Sequence, residues 1–193
     1  IFSFAFLSGL KYILISLVSY SSLDPSLSSI SSLSGNIQNL GGPFGAYLSD
    51  ALFSVVGLSA YLLLAIISFA AVKALFFYQS TDRFHKALKI TSAIFLISSF
   101  ATLCEFYYSG DYFPQSSSGG LVGDLIFSNL SNIFGVVGSL IFIVIFFLAS
   151  ISITFSFSWL SLIDTIGKST KYFFLEFTSQ FVRLVKFIFN SLR

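Results

Sequence analysis

ALFSVVGLSAYLLLAIISFAAV, residues 51–72, runs for 22 residues without a charge, and Lys73 closes it. A helix crossing about 30 Å of hydrocarbon needs roughly 20 apolar residues, so this stretch predicts a membrane span. Working outward, three more follow: 1–20, interrupted only by Lys11; 90–108, with Glu105 near its end; and 134–155. The last is the core of a 39-residue uncharged run from Leu125 to Ile163, which is too long for one crossing. Its first part carries Ser128, Asn129, Ser131 and Asn132 and reads as interfacial. The expectation is an all-α membrane protein with four transmembrane helices in a domain covering 1–163.

Composition supports this reading. Of the 193 residues 55% are hydrophobic and 9% charged, with a mean hydropathy of +0.91. A soluble domain carries about 25% charged residues; this chain could not cover its apolar surface in water. The net charge of +2 matters less than its placement. Lys73, Arg83, Lys86 and Lys89 lie between the second and third spans, and Lys168, Lys171, Arg183, Lys186 and Arg193 follow the fourth. The linkers 21–50 and 105–124 hold only acidic charges. Basic loops stay on the cytoplasmic side, which puts both basic clusters and both termini inside a multi-pass protein. The single cysteine, Cys104, excludes an intrachain disulfide. The chain opens on Ile1 within an apolar run and has no methionine, so it reads as a piece of a longer protein. Its first residues lack the basic start and small-residue cleavage site of a removable signal peptide.

A repeat lies inside this layout. Gly41-Gly42-x-x-Gly45 returns as Gly119-Gly120-x-x-Gly123, Gly57 returns as Gly135, and Leu52 meets Leu130, all at an offset of 78 residues. Each copy starts in an outer loop and leads into a span running inward, so the four spans form two parallel-repeat hairpins. Inverted repeats, common in secondary transporters, are not what this offset describes. The glycines allow a sharp turn at the membrane surface, and their four-residue spacing suits close helix contact. Residues 164–193 form a cytoplasmic helix in which Ser179, Arg183, Lys186, Asn190 and Arg193 step by 4, 3, 4 and 3 down one face. Such a basic amphipathic helix lies in the membrane interface or packs on a partner subunit; the polar stripe favours the interface.

Candidate chemistry is thin. Gly167-Lys168-Ser169-Thr170 resembles the end of a phosphate-binding loop, but that pattern needs a glycine where Leu162 stands and a strand before it. It reads as a helix cap or turn. His85 has no nearby His or Cys with which to hold a metal and reads as a solvated loop residue. Cys104 reads as a small apolar helix residue. Lys11 is an intramembrane cation and therefore a functional candidate, but its possible partner Glu105 lies at a different depth. The serines of 21–34 read as an exposed loop. No cofactor or metal site is expected in this segment, and no catalytic residue.

Residues 19–26, from Ser19 through Asp24-Pro25 to Ser26, are followed by Asn39-Leu40-Gly41-Gly42-Pro43-Phe44-Gly45-Ala46-Tyr47-Leu48-Ser49-Asp50 and then Phe53 and Gly57. With Ser118-Gly119-Gly120-Leu121-Val122-Gly123, and an exit from the membrane through Phe157-Ser158-Trp159 and Ile166-Gly167, this order resembles the N-terminal four-helix membrane domain of the FtsK/SpoIIIE family of bacterial DNA translocases. The resemblance makes Asp24, Pro25, the seven glycines of the repeat together with Gly135, Trp159 and Gly167 the family's structural motif. It implies a domain in the bacterial inner membrane at the division septum, coupling cell division to chromosome segregation. It implies lipid and divisome membrane proteins as partners, a hexameric homo-oligomer, and DNA contacted only through a motor that would follow residue 193 after a linker. ATP and Mg belong to that motor. The serine-rich outer loop and Lys11 depart from the family pattern. Two other functions remain open to the sequence: a small membrane transporter or channel, and a divisome scaffold without a motor.

Overall fold

The computed structural model of the chain describes residues 2–27, 37–76, 82–108, 117–156 and 158–191. Six helices occupy them in order: α1 (Phe2–Val18), α2 (Gly42–Val56), α3 (Ser59–Phe76), α4 (Arg83–Tyr107), α5 (Gly120–Phe155) and α6 (Trp159–Ser191). The class is all-α, and the described residues contain no strand. Two compact units divide the chain, Ile1–Phe155 and Ser156–Arg193.

The stretch expected to cross as one straight span is broken. Pro43 starts α2, and the helix stops at Gly57, whose φ of 57° and ψ of −142° lie outside helical space. The chain resumes as α3 after a bend of 104°. Residues 51–72 are thus shared between the end of one helix and most of the next. Residues 134–155 meet a similar break. At 1.5 Å per residue the 36 residues of α5 would extend about 54 Å, well beyond a bilayer core of about 30 Å. Gly135, at φ 69° and ψ 171°, interrupts them. One arm covers 120–134 and the other 136–155, so the Ser- and Asn-rich section forms the first arm.

By length and composition α4 and α5 are able to cross a membrane, and the bent α2–α3 pair makes a third candidate if it counts as one broken span. The apolar part of α1, Ala5–Val18, is shorter than a usual crossing.

Each half of the first unit has its own packing. In the first, Leu17, Phe53, Ala60 and Leu64 form a buried cluster, flanked by Leu10, Ile13, Leu52 and Val56. The Phe53 ring sits between Tyr20 and Tyr61, with centroids 5.0 and 5.7 Å away. In the second, α4 lies along α5 and buries Ser92, Leu96, Ser99, Ala101 and Thr102. Small residues of this kind let helix backbones approach in lipid, where there is no hydrophobic drive between helices. Two of their hydroxyls have partners: Ser92 Oγ lies 3.0 Å from Thr154 Oγ1, and Thr102 Oγ1 donates to the Ser98 carbonyl at 2.8 Å. Phe69 of α3 meets Phe155 of α5 edge-on at 5.0 Å.

The second unit is a single helix. The chain turns into it at Ser156, the one non-glycine residue with positive φ among those described. Gly167-Lys168-Ser169-Thr170 stands inside α6, neither cap nor turn, because helical backbone runs through it. Lys168 Nζ contacts Asp164 Oδ2 at 2.7 Å one turn earlier, an exposed pair. Of the expected polar stripe only the Arg183 side chain is described, and it is exposed; Ser179, Lys186, Asn190 and Arg193 lie outside the described side chains. His85 is exposed on the first turns of α4, not in a loop.

Candidate functional site

The two glycine motifs build two turns of the same design. In the first, the buried Asp24 carboxylate accepts the N–H groups of Gln38 at 2.7 Å and Asn39 at 2.8 Å. Asn39 in turn donates through Nδ2 to the Ser16 carbonyl at 2.8 Å and accepts the Gly41 N–H at 2.8 Å. Gly41 and Gly45 then press on α1: a Cβ at either would stand 2.3 or 2.7 Å from Ser16 Oγ. Tyr12 Oη closes the contact by donating to the Gly41 carbonyl at 2.6 Å.

In the second turn Glu105 takes the part of Asp24. Its Oε2 accepts Ser117 Oγ at 2.7 Å and the Gly119 N–H at 2.9 Å. Ser118 Oγ donates to the carbonyls of Cys104, at 2.8 Å, and Tyr108. Gly119 and Gly123 press on α4, where a Cβ would meet the Ala101 carbonyl oxygen at 2.3 and 2.7 Å. Carboxylates that accept backbone N–H groups make charge-assisted hydrogen bonds, about twice as strong as neutral ones. These fix the path by which each turn enters its helix.

The second turn meets the break between α2 and α3, where Gly57 backs onto Gly120. The Leu58 N–H donates to the Ser118 carbonyl at 2.8 Å. A Cβ on Gly57 would stand 2.1 Å from Ser118 O, and one on Gly120 would stand 2.5 Å from Gly57 N. Both glycines also hold positive φ, 57° and 64°, a conformation open to glycine at little cost. Space and dihedral angle therefore exclude a side chain at both.

The expected motif residues divide by place. Asp24 and the six glycines 41, 45, 57, 119, 120 and 123 gather at these turns and their junction. Pro25 follows Asp24, half-buried. Gly42 and Gly135 have positive φ and nothing within 4 Å of a built Cβ. Trp159 begins α6, and Gly167 within it also has open space. Asn39, Asp50 and Ser118 stand in the stretches that carry the resemblance but had no part assigned to them there; Ser16 stands in none, and the N–H-holding part of Glu105 was not read from the sequence. The available signal was an acidic residue ahead of each glycine turn, in the two linkers that hold no basic residue. Asp50 is fully buried and accepts Tyr20 Oη at 3.3 Å.

Lys11 is exposed on α1 and makes no ion pair among the described residues. A cleft of about 330 Å³ opens between α4 and the two arms of α5, lined by Ile94, Phe95, Ile126, Leu130, Ile143 and Phe146 among others. The described residues hold no group of three His, Cys, Asp or Glu side chains able to bind a metal.

These features define a class: a helical membrane module built twice from a helix, a carboxylate-held glycine turn and a glycine-broken apolar helix. Residues 1–167 match the 4TM region of DNA translocase FtsK/SpoIIIE, and the chain belongs to that family. It is 28% identical over 170 residues to DNA translocase FtsK 1 of Neisseria meningitidis serogroup A, covering 86% of this chain and 21% of that protein. DNA translocase FtsK of Shewanella oneidensis is 30% identical over 161 residues, covering 81% of this chain and 17% of its own length. DNA translocase FtsK of Pseudomonas syringae pv. tomato is 27% identical over 162 residues, 82% of this chain and 20% of that protein. The chain thus spans about a fifth of the length of the curated relatives it matches, and what matches is the membrane region. No solved structure matches it.

Proposed function

We propose that this chain is the membrane-anchoring and assembly domain of a septal DNA translocase, coupling cell division to chromosome segregation. The observation that carries this reading is the match of residues 1–167 to the membrane region of such translocases. In this reading α1, the α2–α3 pair, α4 and α5 supply four crossings of the bacterial inner membrane, arranged as two parallel hairpins with the basic ends of α3 and α4 on the cytoplasmic side. Unit 156–193 continues into the cytoplasm toward a linker and an ATP-driven motor that alone touches DNA. The mechanism is mechanical. Holding several chains together in one patch of membrane raises the effective concentration of whatever is attached to them, which favours assembly without any new motor contact. The domain's partners are lipid, further copies of itself and divisome membrane proteins.

The test is a fluorescent fusion of the chain in dividing bacteria, paired with accessibility labelling of single cysteines at Phe84 and Leu160. Septal enrichment, with both positions reachable only from the cytoplasm, is the expected result. Uniform membrane fluorescence, or the two positions labelling from opposite sides, would overturn the reading.

A further inference from the structure

The junction of the two repeats is used only once within the chain, and the repeat leaves its complement open at each end. Gly57 of the first repeat is covered by Ser118, Gly119 and Gly120 of the second. Shifted by the repeat offset, the same pairing would bring Gly135 against Leu40, Gly41 and Gly42. In this structure those groups do not meet. Gly135 and Gly42 have nothing within 4 Å of a built Cβ. Their backbones share the positive φ of the joint: Gly42 has φ 67° where Gly120 has 64°, and Gly135 has 69° where Gly57 has 57°, with ψ 171° at Gly135 and −142° at Gly57.

Exposure follows the same division. Gly57, Ser59 and Ala60 are buried, whereas their counterparts Gly135 and Val137 are exposed and Gly138 is half-buried. Ser118 is 1% exposed and its counterpart Leu40 80%. Around the open hinge, Ile133 and Val137 are each 72% exposed and Phe134 53%. Among the described residues there are therefore one filled joint, one unfilled socket at 40–42 and one unfilled hinge at 133–137.

We infer that a second copy of this chain fills them: the hinge at Gly135 of one protomer seats on the turn at Leu40–Gly42 of the next, repeating between chains the joint that Gly57 and Gly120 make within one. The Val136 N–H would then donate to the Leu40 carbonyl of the neighbour, as Leu58 donates to Ser118. The contact is head-to-tail, and such contacts give rings when the rotation closes and open filaments when it does not. In the topology proposed above both repeats run the same way through the bilayer, so the axis relating them lies along the membrane normal. A step along that normal would lift successive copies out of the lipid, which leaves a ring. This inference deepens the assembly part of the proposed function by naming its surface.

The test uses the membrane-embedded chain with Cys104 replaced by serine and a short bismaleimide crosslinker. The double variant Leu40→Cys/Val136→Cys should give a ladder of covalent oligomers. Each single variant alone should stay monomeric, and an equal mixture of the two singles should give dimers and nothing longer. Self-crosslinking of either single variant would mean a two-fold contact and overturn the inference. So would a double variant that stays monomeric on the gel. If that uncrosslinked chain still migrates as an oligomer in mild detergent, assembly stands and only this surface fails; if it migrates as a monomer, the assembly role fails with it.

Discussion

Asp24 shows how much of the first turn rests on one side chain. It is buried, and both of its carboxylate oxygens accept backbone N–H groups ahead of Gly41. Hydrogen bonds to a charged group contribute about 1.5–3 kcal/mol each, and a buried donor left unpaired costs about 1–3. Asp24→Ala should therefore lower the unfolding midpoint of the purified chain in detergent by several degrees. Asp24→Asn, which keeps one acceptor oxygen, should lose less. Equal midpoints for the two would mean that the carboxylate geometry is not what holds the turn. The exposed pair Lys168–Asp164 marks the other extreme. Exposed i,i+4 pairs are worth about 0.3–0.5 kcal/mol, so Lys168→Ala should leave that midpoint nearly where it was. At this scale Asp24 was legible only through the resemblance, whose Asp-Pro element stands ahead of the glycines. Asn39 stood in the quoted motif without an assigned part and Ser16 stood in none; their roles come from the packing of Asn39 against α1, which no local pattern records.

Among the elements, the glycine contacts make the contrast between α5 and α6 measurable. A methyl group at Gly123 would enter the space of the Ala101 backbone, and backbone cannot rotate away as a side chain can. Gly123→Ala should push α4 and α5 apart, lower the midpoint and speed proteolysis between them. Gly167→Ala meets open space within a helix, and alanine is favoured over glycine there by about 0.8–1 kcal/mol. It should be neutral or stabilising. If both variants behave alike, the α4–α5 approach is looser than the described contact. Apolar runs showed where helices form, since only helices satisfy the backbone in lipid. They did not show where the helices bend. Residues 51–72 read as one continuous span because a lone glycine is tolerated inside a helix. The break at Gly57 packs against Ser118 and Gly120, residues far along the chain. The repeat offset held the clue, since it pairs Gly57 with Gly135.

At the scale of the whole molecule, the charge pattern remains the guide to orientation. The basic residues of α3 and α4 fall near one end of each helix, while the carboxylates of Asp24 and Glu105 hold turns at the opposite ends. Cysteines introduced at Leu40 and at Leu121, both exposed, should label from the outer side with an impermeant maleimide, and a cysteine at Phe84 should not. Labelling of Leu40 and Leu121 from opposite sides would contradict the parallel arrangement of the two halves.

The joint between Gly57 and Gly120 is made of main chain on both faces. Nearly any side chain nearby can drift without disturbing it, provided that nothing is added at those two places. A library randomised over the neighbours of the joint should therefore yield many functional sequences, and one randomised at the two glycines almost none. Architecture of this kind is specified by what is withheld, which lets distant relatives share a shape while most of their letters differ.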